Sequence, residues 1–234
     1  MNNKKEEANK NKEKKEEAAV SVTVLSPTAG SAYSYGWGRM KKFFLDLFLI
    51  TLIVGVVWLP LAMIQGLDGR GTAGGAILQI FAFVYLLLLI HPINYGAAFV
   101  FLKAARDEQF EVSDMFLSFQ NYMNVVLAAL LKGAIVGIGM AFFVVPGIIF
   151  ACKLAFVKYL VMDRKMDPVE AVKESWRMTT GYSGHIFVIG LLAVPLAIGG
   201  LICFGVGIIP VIIWVRSTFA SMYYAVCKLE EEKA

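Results

Sequence analysis

The sequence predicts an all-α fold: a polytopic membrane helical bundle of six transmembrane helices, arranged as three hairpins with interfacial amphipathic helices between them. Three observations predict it. Of the 234 residues, 58% are hydrophobic and 17% are charged, whereas soluble chains run at roughly half apolar and a quarter charged. The charge is segregated: Met1 to Glu17 is Asn, Lys and Glu, broken only by Met1 and Ala8. The remaining apolar residues fall in runs long enough to cross a hydrocarbon core of ~30 Å.

Residues 1–33 read as a disordered cytoplasmic tail, because Lys, Glu, Asn and then Ala, Ser and Thr bury too little apolar area to offset chain entropy. Residues 34–227 form the six-span membrane domain, and 228–234 a short cytoplasmic tail. Tyr35 to Lys42 sets aromatics beside cations, a signature of the membrane interface. The first span is expected at 43–64 and the second at 76–102, interrupted by His91-Pro92. A proline there removes one backbone hydrogen bond and kinks the helix. In the connection that follows, Ser113 reads as an N-cap with Asp114 in the first turn.

Two longer apolar stretches must each reverse direction. Val125 to Leu160 would make roughly 54 Å of continuous helix, and Ile186 to Val226 roughly 60 Å. The first reversal is expected at Val145-Pro146-Gly147, giving spans at 124–145 and 147–162. The second is expected at Gly205-Val206-Gly207, giving spans at 185–204 and 208–227. Between the pairs, Asp167-Pro168-Val169-Glu170 reads as an N-cap, a proline in the first helical position and an acid in the first turn. Val169, Val172 and Trp176 share a helical face and Gly181 supplies the stop. That helix should lie at the interface.

Cationic residues set the orientation. Eleven Lys and Arg outside the spans and the N-terminal tail, from Arg39 to Lys233, fall on the side of the termini, and only Arg70 falls opposite. The positive-inside rule therefore places both termini in the cytoplasm of a bacterial inner membrane. No basic helix interleaved with stacking aromatics is present, so nucleic acid is not an expected partner. Membrane lipids are, and so is a protein docking at the cytoplasmic face. The sequence leaves the oligomeric state open.

Motifs for catalysis and cofactors are missing. Cys152, Cys203 and Cys227 form no CxxC or Cys/His cluster, and His91 and His185 fall on different spans. There is no GxSxG, HExxH or phosphate-binding glycine loop. The chain is therefore expected to be no enzyme and to hold no cofactor.

Polar groups inside the spans remain, and such groups mark function by default. Lys153 and Arg216 stand at matching distances past Pro146 and Pro210, and with Lys132 they are the candidate ligands for an anionic group such as a lipid phosphate. Lys158, nearer the cytoplasmic end, is expected to extend its ammonium to the interface. Asp46 is a candidate ion-pair partner of Lys132. His91 and Asn94 are candidate intramembrane polar partners at a broken helix. Asp167, Glu170, Trp176 and Arg177 form a candidate elbow on the cytoplasmic face. Gly133 and Gly137 make a GxxxG, expected to pack helices closely within the chain. Short matches at constant offset, 107–116 against 163–172 and 146–150 against 210–214, suggest a repeated hairpin.

The stretch from Pro146 to Thr180, PGIIFACKLAFVKYLVMDRKMDPVEAVKESWRMTT, carries a family resemblance. Its Pro-Gly turn, its apolar span leaving through Asp163-Arg164, and its Glu170-Ala171, Ser175-Trp176 and Met178-Thr179 elbow are similar to those of a bacterial family of multi-pass membrane proteins. That family resembles the membrane domain of membrane-anchored glycerophosphoryl diester phosphodiesterases. The resemblance implies fold and location from Tyr35 to Cys227. Only seven residues follow the last expected span, so the separate catalytic domain of those phosphodiesterases is not expected. The leading expectation is a non-enzymatic scaffold, accessory or lipid-handling module. The alternative is a small transporter or channel for an anionic or amphiphilic solute, working through intramembrane Lys and Arg.

Overall fold

In the computed structural model, residues 25–66, 73–202 and 207–232 are described, and every element among them is helical. Six helical stretches are long and apolar enough to cross a membrane: Phe44–Gly66, Gly74–Arg106, Tyr122–Phe142, Val144–Asp163, Ser183–Ile202 and Ile208–Glu231. The protein is a multi-pass membrane protein.

The elements run α1 (Ala29–Lys42), α2 (Phe44–Gly66), α3 (Ala73–Tyr85), a π-helical turn (Leu86–Ile90), α4 (His91–Arg106), a 3-10 helix (Val112–Phe119), α5 (Tyr122–Phe142), α6 (Val144–Lys153), α7 (Val157–Asp163), α8 (Pro168–Thr179), α9 (Ser183–Ile202) and α10 (Ile208–Glu231). Each hairpin of spans is preceded by a short helix: α1, the 3-10 helix, then α8. The helix α1 takes in residues 29–33, which the sequence assigned to a disordered tail. Tyr33 is buried and its hydroxyl donates to Ile189 O at 2.8 Å. Residues 1–24 and the turn expected at 205–207, apart from Gly207, lie outside the described residues.

The packing is cyclic. Each first arm touches its own second arm and the second arm of the preceding hairpin: α2 meets α4 and α10, α5 meets α6, α7 and α4, and α9 meets α10 and α6. The short helices follow the same rule, with α1 on α10, the 3-10 helix on α4, and α8 on α7. The second arms form an inner trio whose connection-end halves are the core: Phe101, Leu102, Phe156, Tyr159, Leu160, Met222 and Tyr223 are each 0–1% exposed. The first arms are outer and expose large apolar side chains such as Leu52, Val56, Leu127, Ile138, Leu191 and Val194. In a bilayer these faces meet lipid tails, which are as apolar as the side chains. The repeat suggested by short sequence matches thus has a structural counterpart in three equivalent helix–hairpin units.

Small residues permit the docking of the short helices. A Cβ on Gly96 of α4 would come within 1.7 Å of Met115 O in the 3-10 helix, and one on Gly36 of α1 within 2.8 Å of Thr218 N in α10. The third docking uses hydroxyls. The fourth span breaks between α6 and α7, and α8 covers the break. Ser175 accepts from Phe156 N at 3.3 Å and donates to Lys153 O at 2.8 Å, and Thr179 donates to the same carbonyl at 3.1 Å. Backbone groups freed inside a membrane must find such partners. The Ser-Trp and Met-Thr pairs of the elbow are explained by this: Ser175, Met178 and Thr179 are buried, and Trp176 faces out.

Several local expectations need correction. The reversal between the third and fourth spans falls at Phe143, whose extended backbone (φ −157°, ψ 147°) separates α5 from α6. Pro146 instead sits in the first turn of α6, where its missing N–H has no intrahelical partner to lose. The cap of the 3-10 helix is Glu111 rather than Ser113, in a reciprocal capping box with Asp114. Asp167 holds the N-cap position of α8, but its side chain makes no capping bond. The buried face of α8 is Ala171, Ser175 and Met178, while Val169 and Trp176 are exposed. Among the described residues nothing lies within 4 Å of a Cβ added at Gly133 or Gly137, so this GxxxG packs against none of the described helices. The close approach in that hairpin is between Gly139 and Gly147, 3.1 Å from added Cβ to Cα. Gly181 does end α8, at φ +92°.

A candidate anion site between the spans

The broken second span positions the first polar group. Pro92 has no N–H, so the carbonyl four residues earlier, Leu88 O, loses its helical donor; Tyr122 of α5 supplies its hydroxyl at 3.1 Å. The π-helical turn absorbs the rest. Leu86 O accepts from His91 N–H and from Nδ1 of the His91 ring at 2.7 Å, which places the ring proton on Nδ1. His91 therefore serves the kink. Asn94 spans two roles: its amide nitrogen donates to Ile90 O at 2.9 Å, and its Oδ1 accepts from Arg216 Nη2 at 3.2 Å.

That contact lies on a cavity of about 120 Å³ between the spans. Asn94 and Tyr95 of α4, Lys132 of α5, Lys158 and Tyr159 of α7 and Arg216 of α10 line it. Three cations from three helices meet there, and no carboxylate among the described residues lines the cavity. Among the described residues none of the three makes an ion pair. The Lys158 ammonium rests against aromatic faces, 4.8 Å from the Tyr159 ring centre and 5.9 Å from that of Phe219. Tyr95 is 5% exposed and its hydroxyl has no hydrogen-bond partner. Buried charges are normally paired and buried hydroxyls normally bonded. The Tyr95 hydroxyl departs from the second rule, and the three cations, each half-buried, stand beside it without an ion-pair partner among the described residues.

Two sequence-based pairings fail here. Lys153 does not join Arg216: its ammonium donates to Thr180 Oγ1 at 3.0 Å and lies 5.6 Å from the Trp176 ring centre. Lys158, read as reaching for the interface, takes its place. The break between α6 and α7 falls between the two lysines, and they face different ways. Asp46 does not neutralise Lys132. It lines a separate groove at the connection end, beside Lys42, Lys103 and Asp107. Tyr95 was missed, since a tyrosine in an apolar run carries no signal until its hydroxyl is seen to lack a partner.

At the connection end, charges are paired. Asp107, in a left-handed conformation after α4, binds Arg39 at 2.8 Å and Lys42 at 2.6 Å. The Lys42 and Arg39 hydrogen bonds hold its carboxyl below the usual carboxylate range. Burial pushes the Asp114 carboxyl up, but Lys103 at 2.9 Å and the Glu111 N–H together bring it lower overall. Arg177 of the elbow is held by Glu174 at 2.6 Å and Glu230 at 2.9 Å, and its hydrogen bond holds the Glu174 carboxyl down. Of the four elbow candidates, Arg177 is thus occupied within the chain, while Asp167, Glu170 and Trp176 are exposed.

Comparisons of the chain with family models, curated proteins and solved structures gave no match.

Proposed function

We propose that the protein is a non-catalytic, lipid-handling module of the bacterial inner membrane, with both termini cytoplasmic, and that it holds the anionic head group of a membrane lipid at Lys132, Lys158 and Arg216. The observation that carries this reading is the convergence of three cations on a cavity with no acidic lining residue among those described. Cations placed this way create a field that an anion relieves. Lys132 lies ten residues into α5, roughly 15 Å from its connection end. It is reached past a helix whose other face is exposed and apolar at Leu127, Leu130 and Ile138, which favours an occupant that arrives through the bilayer. The excess of Lys and Arg on the side of the termini supports the orientation. The motifs around Pro146 to Thr180 support kinship with the phosphodiesterase-type membrane domain. The exposed Asp167, Glu170 and Trp176 are the surface we assign to a protein partner.

Native mass spectrometry of protein extracted in mild detergent tests this. Wild type should retain an anionic phospholipid that Arg216→Met loses. Equal retention by both, or none by wild type, would contradict it.

The cyclic arrangement of second arms around the cavity favours a second reading, a carrier for an anionic solute. Under that reading, proteoliposomes would release trapped phosphate or sulfate faster than empty vesicles, and Lys158→Met would abolish the difference.

A further inference from the structure

We propose that the occupant of this cavity is a phosphomonoester, a group that carries up to two negative charges, and not a phosphodiester. The inference rests on the anion-holding reading above and narrows it to one chemistry.

Charge is the first argument. Lys132, Lys158 and Arg216 come from three different helices, and no carboxylate among the described residues lines their cavity. A phosphodiester brings one negative charge and leaves most of the excess standing. A phosphomonoester brings close to two near neutral pH.

Donor geometry is the second. Arg216, Lys132, Lys158 and Tyr95 line the cavity, and the Tyr95 hydroxyl is buried and without a partner. Arg216 spends one nitrogen on Asn94 Oδ1 and keeps its other N–H groups. A phosphomonoester presents three terminal oxygens to these donors, and a diester presents two. The Tyr95 hydroxyl has no hydrogen-bond partner, and a third terminal oxygen would supply one.

Size is the third. A space of about 120 Å³ equals roughly four waters of liquid volume. One tetrahedral phosphate fits; a phosphate with a second esterified group, such as the head-group glycerol of phosphatidylglycerol, does not. Two sources share this chemistry: a lipid ending in a phosphomonoester, and free phosphate.

The test uses the full chain in nanodiscs of phosphatidylcholine, with phosphatidic acid or phosphatidylglycerol added, and separately with inorganic phosphate. Wild type and Tyr95→Phe are compared by native mass spectrometry and thermal melting. Tyr95→Phe removes one unpartnered atom, so its melt without added anion should match wild type or exceed it. We expect phosphatidic acid to bind at least tenfold more tightly than phosphatidylglycerol, and Tyr95→Phe to reduce that preference at least threefold. Tight binding of inorganic phosphate, with no advantage for phosphatidic acid, would support the same chemistry and assign the source to the aqueous phase. Phosphatidylglycerol binding as tightly as phosphatidic acid would overturn the phosphomonoester and leave the anion site standing. No binding of any of the three would overturn both.

Discussion

Arg106 and Asp163 form a bidentate pair, Nη1 to Oδ1 at 2.5 Å and Nη2 to Oδ2 at 2.6 Å. It joins the connection ends of the second and fourth spans. Tyr223 of the sixth span adds its hydroxyl to Oδ2 at 3.1 Å. One carboxylate therefore ties together all three inner arms, directly below the stacked rings of Tyr159 and Tyr223, whose centres are 5.0 Å apart. Two parallel N–H···O bonds fix angle as well as distance, so the pair sets how the inner arms meet.

Removing the carboxylate alone should be costly. Asp163→Ala leaves Arg106 with the longer Glu108 contact at 3.8 Å, in a site where the Asp163 and Arg106 side chains are 11% and 24% exposed. We expect a loss of about 3 kcal/mol, the low end for breaking a buried pair because Arg106 keeps some water. Replacing both, Asp163→Leu with Arg106→Met, should recover most of that loss. Denaturation in detergent micelles checks it; a double variant as unstable as the single would show that the ion pair is not the source.

Glycines should divide by what their missing Cβ would meet. Gly96→Ala drives a methyl into Met115 O and should cost about 3 kcal/mol, the upper part of the range for overpacking. Gly133→Ala and Gly137→Ala meet nothing and should be neutral or stabilising by up to ~1 kcal/mol each, the helix-propensity gain of Ala over Gly. A destabilised Gly133→Ala in the same melting assay would mean that this face packs against something beyond the chain.

The hydroxyls of α8 make a third test. Ser175→Ala leaves the Phe156 N–H without its acceptor, and we expect a cost of about 1–3 kcal/mol for that buried group. Adding Thr179→Val removes the second donor to Lys153 O and should cost more than the sum of the single changes, since each hydroxyl partly covers for the other. Strict additivity would argue against a shared role.

Acid should loosen the connection end only at low pH. The folded Asp107 carboxyl is held down, first by Lys42. A depressed carboxyl contributes stability that is fully present above its unfolded value, near 3.8, and is lost as the pH falls through the lower folded value. Glu174, held down by Arg177, behaves the same way. Hydrogen exchange of α1, tied to Asp107 through Arg39 and Lys42, should keep its protection from pH 7 to about 5 and lose it only below about 4. Loss of protection between pH 7 and 5 would assign the contact to another group.

How much of this was legible follows from which physical cause set each feature. The spans were, because run length against membrane thickness is a one-dimensional constraint, and all six expected segments overlap the observed ones. Gly181 and the Pro168 helix start were, because they act locally. The reversal at Phe143 was not: Pro146 breaks no hydrogen bond in a first turn, so it marks the start of a helix as readily as the end of one. The helix α1 was hidden because Gly30, Gly36 and Gly38 weaken its helical propensity and its aromatics are held by a distant residue, Trp214, whose ring lies 5.4 Å from Tyr33 and 4.8 Å from Trp37. Of the candidate site, the sequence supplied Lys132 and Arg216 by depth and Asn94 by its place beside the broken helix. Depth does not give rotation about the helix axis, which separates Lys153 from Lys158 and Asp46 from Lys132.

The most direct test of the anion site is a thermal melt of wild type and Lys158→Met in neutral detergent, with and without added anionic phospholipid. Relief of unneutralised repulsion predicts that Lys158→Met melts higher than wild type in neutral detergent. Anionic lipid should then raise the wild-type melting temperature by several degrees and leave the variant almost unmoved. A variant that melts lower in neutral detergent, and gains as much from the lipid as wild type does, would contradict the site.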